Sequence, residues 1–244
     1  MKRNPQEDYV ADYYQKNYDS ILRDGLDDET KAHGAFLAAH VRGMTLDFGC
    51  GPSVHFNALF MPHAMTIDGI DVVPENIAFA RTRMKAFRPE RYRIIEDYVR
   101  CLGAGSTYSS VRQISKIRKL IMADFTKPLP RALRKKSYDC VVSTYSLGCV
   151  KTIDEFRAAL QNMYDLLAPG GTMLCLNTNG KNRNAIVPEM TYQGLDAAND
   201  DHRMLTREAK AIGFKNISTE EKRICQGVDA MYRYSTLFFT SARK

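Results

Sequence analysis

No run of apolar residues in this 244-residue chain approaches the length of about 20 needed to cross a bilayer. Residues 1–9, MKRNPQEDY, also lack the apolar stretch of a secretion signal. A soluble, cytoplasmic protein without membrane association is therefore expected. There is no C-x-x-C pair: Cys50, Cys101, Cys140, Cys149, Cys175 and Cys225 are scattered, several inside apolar runs where a thiol packs as a small hydrophobe. This argues against a disulfide framework and against zinc. The five histidines lack ligand spacing, since His33 and His40 lie seven apart and His55, His63 and His202 have no acidic or cysteine partner at metal-site intervals. No metal is expected. Internal repeats and low-complexity tracts are absent too, and with 44% hydrophobic and 26% charged residues the composition is that of a chain that folds unaided.

The net charge is +7, which permits attraction to acidic partners without establishing it. The basic residues gather in residues 81–93 (RTRMKAFRPERYR), 116–119 (KIRK) and 131–136 (RALRKK). They read either as solvated helix faces and turns or as a nucleic-acid footprint. No stacking aromatics are interleaved as single-strand binding requires, so nucleic acid is not expected as a partner.

From about residue 45 onward, short β-branched apolar runs alternate with helical patterns, the signature of βαβ units and a parallel sheet covered by helices. Strands are expected at residues 45–48, 65–72, 119–124, 138–146 and 172–177, with two more at 216–224 and 232–242. Residues 75–87 and 153–168 carry apolar positions at three-to-four spacing and predict amphipathic helices. Pro169-Gly170-Gly171 is expected to stop the second helix and turn the chain into the next strand. The length suits a single domain over 1–244, with 1–40 as an N-terminal helical segment and 88–118 as an insertion above the sheet.

The segment Leu46-Asp47-Phe48-Gly49-Cys50-Gly51-Pro52-Ser53 reads as a strand running into a glycine turn at the mouth of a helix, where Gly49 and Gly51 let the backbone approach a ligand. Asp71 ends the next strand twenty positions after Gly51, where a carboxylate can accept from both hydroxyls of a ribose. Asp124 ends the third, beside the backbone N–H of Phe125, where the pair could read an adenine edge. Turn glycines and solvent-facing aspartates are the bland alternative for each residue alone. Three successive strand ends in this order point to a nucleoside. A nicotinamide dinucleotide needs a third glycine to bring helix and strand together under a pyrophosphate, and Val54 stands there instead. S-adenosylmethionine has no phosphate and needs only a close backbone contact and acceptors for ribose and adenine, so it is the favoured cofactor.

Together D-x-G-C-G-P-S, G-I-D, M-A-D-F and L-L-A-P-G-G resemble the motif series of class I methyltransferases. The segments NPQEDYVADYY, LDFGCGPSVH, VVSTYSLGCV, LLAPGG and LFFTSARK are similar to the nicotinamide, phenylethanolamine and indolethylamine N-methyltransferases. The resemblance implies a Rossmann-like α/β fold with a mostly parallel seven-stranded sheet, helices on both faces and an N-terminal helical lid. It implies that Tyr9 and Tyr14 close over the cofactor, although Tyr9, Tyr13, Tyr14 and Tyr18 also have the helical spacing of a stripe packed on the core. Gly49 and Gly51 would form the cofactor turn, Asp71 hold the ribose, Asn76 contact the cofactor beside it, and Asp124 with Phe125 hold the adenine. His55 stands where the family has a tyrosine that contacts the carboxylate tail.

On the substrate side the family's acidic residue is replaced by Asn177, and the following segment carries Lys181 and Arg183, which favours a neutral or anionic acceptor. Asp196, Asp200 and Asp201 either substitute for the missing carboxylate or form a solvated loop. Tyr145 and Asp201 are the candidates for taking a proton from the acceptor, and Tyr145 also for contacting it. The expected activity is methyl transfer to a small molecule, most readily at nitrogen, by a monomer. The rivals are a methyltransferase acting on RNA or protein and a non-catalytic adenosine-binding module. The N/D-P-P-Y/F motif of amino-methylating nucleic-acid and protein enzymes is replaced by Ser143-Thr144-Tyr145-Ser146.

Overall fold

The computed structural model describes residues 5–134, 137–178, 202–223 and 236–244. The chain falls into two compact units, Met1–Ala123 and Asp124–Lys244. Among the described residues there are seven strands, mostly parallel in their pairing and alternating with helices, which is the α/β architecture expected from the sequence.

The first unit carries β1 (Gly43–Phe48), β2 (Ala64–Asp71) and β3 (Ile117–Met122), all parallel, with β2 in the middle. Helices Pro5–Tyr14 and Asp28–His40 precede β1. Asp27 caps the latter by accepting from Thr30 N at 2.7 Å, satisfying one of the amides a helix start leaves unpaired. Helix Pro74–Lys85 opens with proline, whose missing N–H is no loss there. The excursion over 88–118 forms a 3₁₀ turn at Pro89–Tyr92, helices Arg93–Val99 and Ser110–Ser115, and β3's first residues. It is tied down: Tyr108 Oη donates to Leu59 O, and Gln113 Nε2 to Met61 O at 2.5 Å.

Gly34 lies inside helix Asp28–His40, where a Cβ would stand 2.4 Å from Cδ1 of the fully buried Phe60. On an open helix face Gly→Ala stabilises by about 1 kcal/mol. Here the sign reverses: Gly34→Ala is expected to destabilise by about 1–3 kcal/mol through overpacking. A urea midpoint unchanged or raised in the variant would show that the Phe60 ring yields.

The second unit carries β4 (Tyr138–Thr144), β5 (Leu167–Thr178), β6 (Lys215–Arg223) and β7 (Thr236–Arg243). β4 and β5 are parallel; β7 is antiparallel to β5 and to β6 and lies between them. Helix Ile153–Leu166 is capped by Thr152, which accepts from Glu155 N, and buries Phe156, Leu160, Met163 and Leu166 on one side at helical spacing. The expected turn at Pro169-Gly170-Gly171 differs in detail. The helix stops at Leu166 and β5 begins at once with Leu167, so the three residues lie inside the strand's bounds at an irregularity in its register with β4. Gly170 adopts φ 78°, its carbonyl accepts from Arg243 Nη1 at 2.8 Å, and Gly171 O accepts from Lys244 N at 3.0 Å, so pairing with the last residues draws this stretch into the sheet. No described helix is long and apolar enough to cross a membrane.

Candidate functional site

At the end of β1 the chain enters the glycine turn, with Gly49 at φ 78° and Gly51 at φ 59°, a region in which a side chain is strained. Gly49 N and Cys50 N both donate to Ile70 O, at 2.9 and 2.8 Å, so the last turn of β2 fixes the loop. A Cβ on Gly51 would meet nothing nearer than Ser53 Oγ at 4.0 Å, leaving open space over this backbone for a ligand's close approach. The buried Asp71 closes the ring. Its Oδ2 accepts from Gly51 N at 2.8 Å, and Oδ1 accepts from Val73 N at 2.8 Å and Asn76 Nδ2 at 3.1 Å. A carboxylate offers about four lone-pair sites, so one remains on Oδ2. Asp71 can therefore take one hydroxyl directly; taking two requires Asn76 to yield. Asp71 and Asn76 thus act as one group, which the sequence motif alone does not show. Gly69 has a separate role that went unread: a Cβ there would lie 2.9 Å from Cys50 Sγ and from Leu120 Cδ2, so the Cys50 side chain occupies the space the glycine leaves.

Beneath the turn, Asp47 is fully buried, with Oδ2 accepting from Asn57 Nδ2 at 3.2 Å and Oδ1 without a partner among the described residues. Burial, more than the neighbouring Asp71, pushes its carboxyl up to about 7, against the weaker opposing effect of the Asn57 hydrogen bond. Because the folded value is raised, the folded state holds a proton that the unfolded chain releases near pH 4, so stability from this group falls as pH rises from about 4 to about 7. Relative to wild type, Asp47→Asn should gain stability over that window, by up to about 4 kcal/mol at pH 8. Two groups of opposite sign make the difference, rather than the wild-type profile, the informative quantity. His33 is pushed down to about 4 and His55 to about 3, both chiefly by burial, and each favours the fold as pH rises. Denaturation of the two proteins at pH 5 and pH 8 checks this; an equal difference at both would show that Asp47 does not titrate there.

The N-terminal tyrosines divide. Tyr14 is 1% exposed, with its ring stacked on His55 and Tyr18 and tilted against Phe79 at 5.1–5.3 Å. The Arg83 guanidinium covers it at 4.6 Å, and its Oη lies 2.6 Å from His55 Nε2. Burial pushes the Tyr14 hydroxyl up and keeps His55 neutral, the latter with help from Arg83. Arg83 is anchored by Asp19 at 3.0 Å, and Arg91 reaches the same carboxylate at 3.2 Å. His55 Nδ1 is buried without a partner. Tyr9 is 37% exposed and stacks on Tyr13.

In the second unit Asp124 accepts through Oδ1 from both Thr126 N (2.8 Å) and Thr126 Oγ1 (2.7 Å), and Oδ2 has no hydrogen bond from the described residues. Phe125 is buried, and its carbonyl accepts from Asn162 Nδ2 at 2.8 Å. Tyr145 follows β4 with φ 60°, an uncommon conformation for a bulky residue, held by its N–H to Leu176 O at 2.8 Å. Asn177, half-buried near the end of β5, lines a narrow recess with His202, Phe156, Phe238 and Leu205. The sequence reading missed His202; its signal was its place at the start of the amphipathic helix His202–Ile212. Asp201, Asp196, Asp200, Lys181 and Arg183 lie outside the described residues. Among the described residues no cluster of three histidine, cysteine or acidic side chains could hold a metal.

The family described as "Methyltransferase domain" matches residues 14–219. No curated protein matches the chain. Among solved structures, the N-methyltransferase NodS from Bradyrhizobium japonicum WM9 in complex with S-adenosyl-L-homocysteine is similar, at 14% identity and TM-score 0.58, with 99% of each chain covered. A DhpI–SAH complex shares 16% identity at TM-score 0.56, covering 98% of this chain and 94% of that one. A TehB-like SAM-dependent methyltransferase from Corynebacterium glutamicum ATCC 13032 Kitasato shares 15% at TM-score 0.56, covering 99% and 100%. At these identities the likeness is one of fold, and the fold is the Rossmann-like one of methyltransferases.

Proposed function

Because the chain belongs to the methyltransferase domain family, we propose that it uses S-adenosylmethionine to methylate a small, uncharged molecule, at nitrogen. The observation that carries the cofactor is the closed ring of Gly49, Gly51, Asp71 and Asn76. Both glycines hold positive φ, Gly51 leaves open space over its backbone, and the carboxylate that braces Gly51 keeps one acceptor site. The similar NodS and DhpI structures hold the demethylated cofactor, which supports the same ligand here. In this reading Gly49 and Gly51 face the amino-acid tail with His55 nearby, Asp71 and Asn76 take the ribose, and Asp124 with Phe125 serve the adenine. Bound, the cofactor supplies an electrophilic methyl group. Tyr9 and Tyr14 belong to the N-terminal helical segment that shields it, Tyr14 by holding His55. Tyr145 and Asn177 stand on the acceptor's side.

Nitrogen as the acceptor atom is supported by NodS, described as an N-methyltransferase, and by the narrower likeness to the nicotinamide, phenylethanolamine and indolethylamine enzymes. A small acceptor is supported by the fate of the basic clusters. Arg83 and Arg91 are paired with Asp19, Arg118 with Asp68, and Arg81 and Lys116 donate to backbone carbonyls, so much of this charge is engaged within the chain. Asn177→Asp should raise kcat/KM for alkylamines relative to the native acceptor by restoring a charge partner. A variant with no shift in that ratio would remove Asn177 from specificity. The reading as a whole is tested by labelled methyl transfer across small amines, azaheterocycles, hydroxyl compounds, thiols and bulk RNA; label in RNA alone would favour the macromolecular alternative.

A further inference from the structure

Parallel α/β sheets gather their ligands at the carboxyl ends of the strands. In the second unit β4 and β5 run parallel, and beside the carboxyl-terminal part of β5 lies the recess lined by Asn177, His202, Phe156, Leu205, Phe238 and Thr240. Two of its polar side chains are uncommitted among the described residues. His202 Nδ1 is buried and has no hydrogen-bond partner among them, while its ring lies 5.1 Å from that of Phe238. Residue Asn177 is half-buried, and its carboxamide takes no hydrogen bond from the described residues, although its backbone is fixed opposite Phe238 in the β5–β7 ladder. Thr240, by contrast, is already engaged with Thr219 at 3.0 Å. The remaining lining is apolar, and no charged side chain is among the described residues that form it. The space is about that of one water molecule.

Resting on the methyltransferase reading above, we propose that this recess receives a single hydroxyl or N–H group of the methyl acceptor, with His202 and Asn177 as its hydrogen-bond partners. A carboxamide both donates and accepts, and an imidazole nitrogen is a donor or an acceptor according to where the ring's protons sit. The pair therefore suits a group that also does both. An ammonium entering the same space would be desolvated among phenylalanine and leucine side chains with no carboxylate to meet it. The acceptor class is accordingly an uncharged molecule with an apolar body and one such polar group. A site of this kind discriminates strongly against the analogue lacking that group, because its own polar atoms are then left unpaired. His202 and Asn177 are in this account specificity-determining residues.

Phenol, aniline and toluene are suitable probes, titrated into the full chain carrying ¹⁵N-labelled histidine, with His202→Phe identifying the His202 ring resonance. Phenol and aniline should shift that resonance and bind about tenfold or more tightly than toluene. Both His202→Phe and Asn177→Leu should lose about tenfold in phenol affinity, while calorimetry gives the wild-type dissociation constant for S-adenosylmethionine. Toluene binding as tightly as phenol, or phenol binding undiminished in both folded variants, would overturn the proposal and make the recess ordinary packing. Failure of wild-type protein to bind S-adenosylmethionine, with phenol still shifting His202, strikes the methyltransferase reading alone, so the two failures are read separately.

Discussion

Asp71→Ala should cost the protein cofactor affinity and part of its stability together. The carboxylate holds Gly51 N, Val73 N and Asn76 Nδ2 at once, and alanine leaves all three donors unpaired in a largely buried site. Each buried unpaired donor costs about 1–3 kcal/mol, so a drop of roughly 10 °C in Tm is expected for a chain of this size. The lost hydrogen bond to a ribose hydroxyl is charge-assisted and worth about 1.5–3 kcal/mol, which weakens S-adenosylmethionine binding by about 10–100-fold. Loosening of the glycine turn adds to that. Asp71→Asn separates the two effects, since it keeps an acceptor toward Val73 and Asn76 but presents an amide toward Gly51. Calorimetry on this milder variant, verified as folded, is the deciding experiment; an unchanged dissociation constant removes Asp71 from the site.

Tyr14→Ala is the second large effect, and it falls on the fold. The side chain is packed between His55, Tyr18, Phe79 and the Arg83 guanidinium, and its loss leaves a cavity where large-to-small core changes cost about 3–5 kcal/mol. It also removes the Tyr14 hydroxyl from His55 Nε2, leaving both ring nitrogens without a partner among the described residues, beside the glycine turn. Tyr14→Phe keeps the packing and removes only the hydroxyl, so it should cost about 1–3 kcal/mol. Deleting residues 1–18 should resemble Tyr14→Ala. If the truncated protein keeps its Tm within a few degrees but loses turnover, the segment acts as a lid that excludes water rather than as core.

The strand–turn–strand series was legible because its chemistry is local. A glycine turn, an aspartate twenty positions later and an aspartate two residues past β3 follow one another along the chain. The boundaries drifted where pairing decides them: β5 reaches back through Pro169-Gly170-Gly171 because Arg243 and Lys244 hold that stretch, a contact across more than seventy residues that no local signal reveals. The spacing of Tyr9, Tyr13, Tyr14 and Tyr18 predicts one helical stripe, and only packing separates the buried Tyr14 from the exposed Tyr9. His202 has no metal-ligand spacing in the sequence. Its interest lies in an unpaired buried nitrogen, a property of the folded surroundings. Asp47 reads in sequence as the first letter of a glycine motif, and its raised carboxyl follows from complete burial.

The central claim, that the closed glycine–Asp71 ring binds S-adenosylmethionine for transfer to a small molecule, is tested most directly by one labelled-methyl experiment. The full chain is incubated with methyl-labelled S-adenosylmethionine and a mixed extract of small metabolites in one arm and bulk RNA and protein in the other, with Asp71→Asn run in parallel. Label is expected in the small-molecule fraction, sharply reduced in the variant. Label confined to RNA or protein, or transfer undiminished by Asp71→Asn, would contradict it.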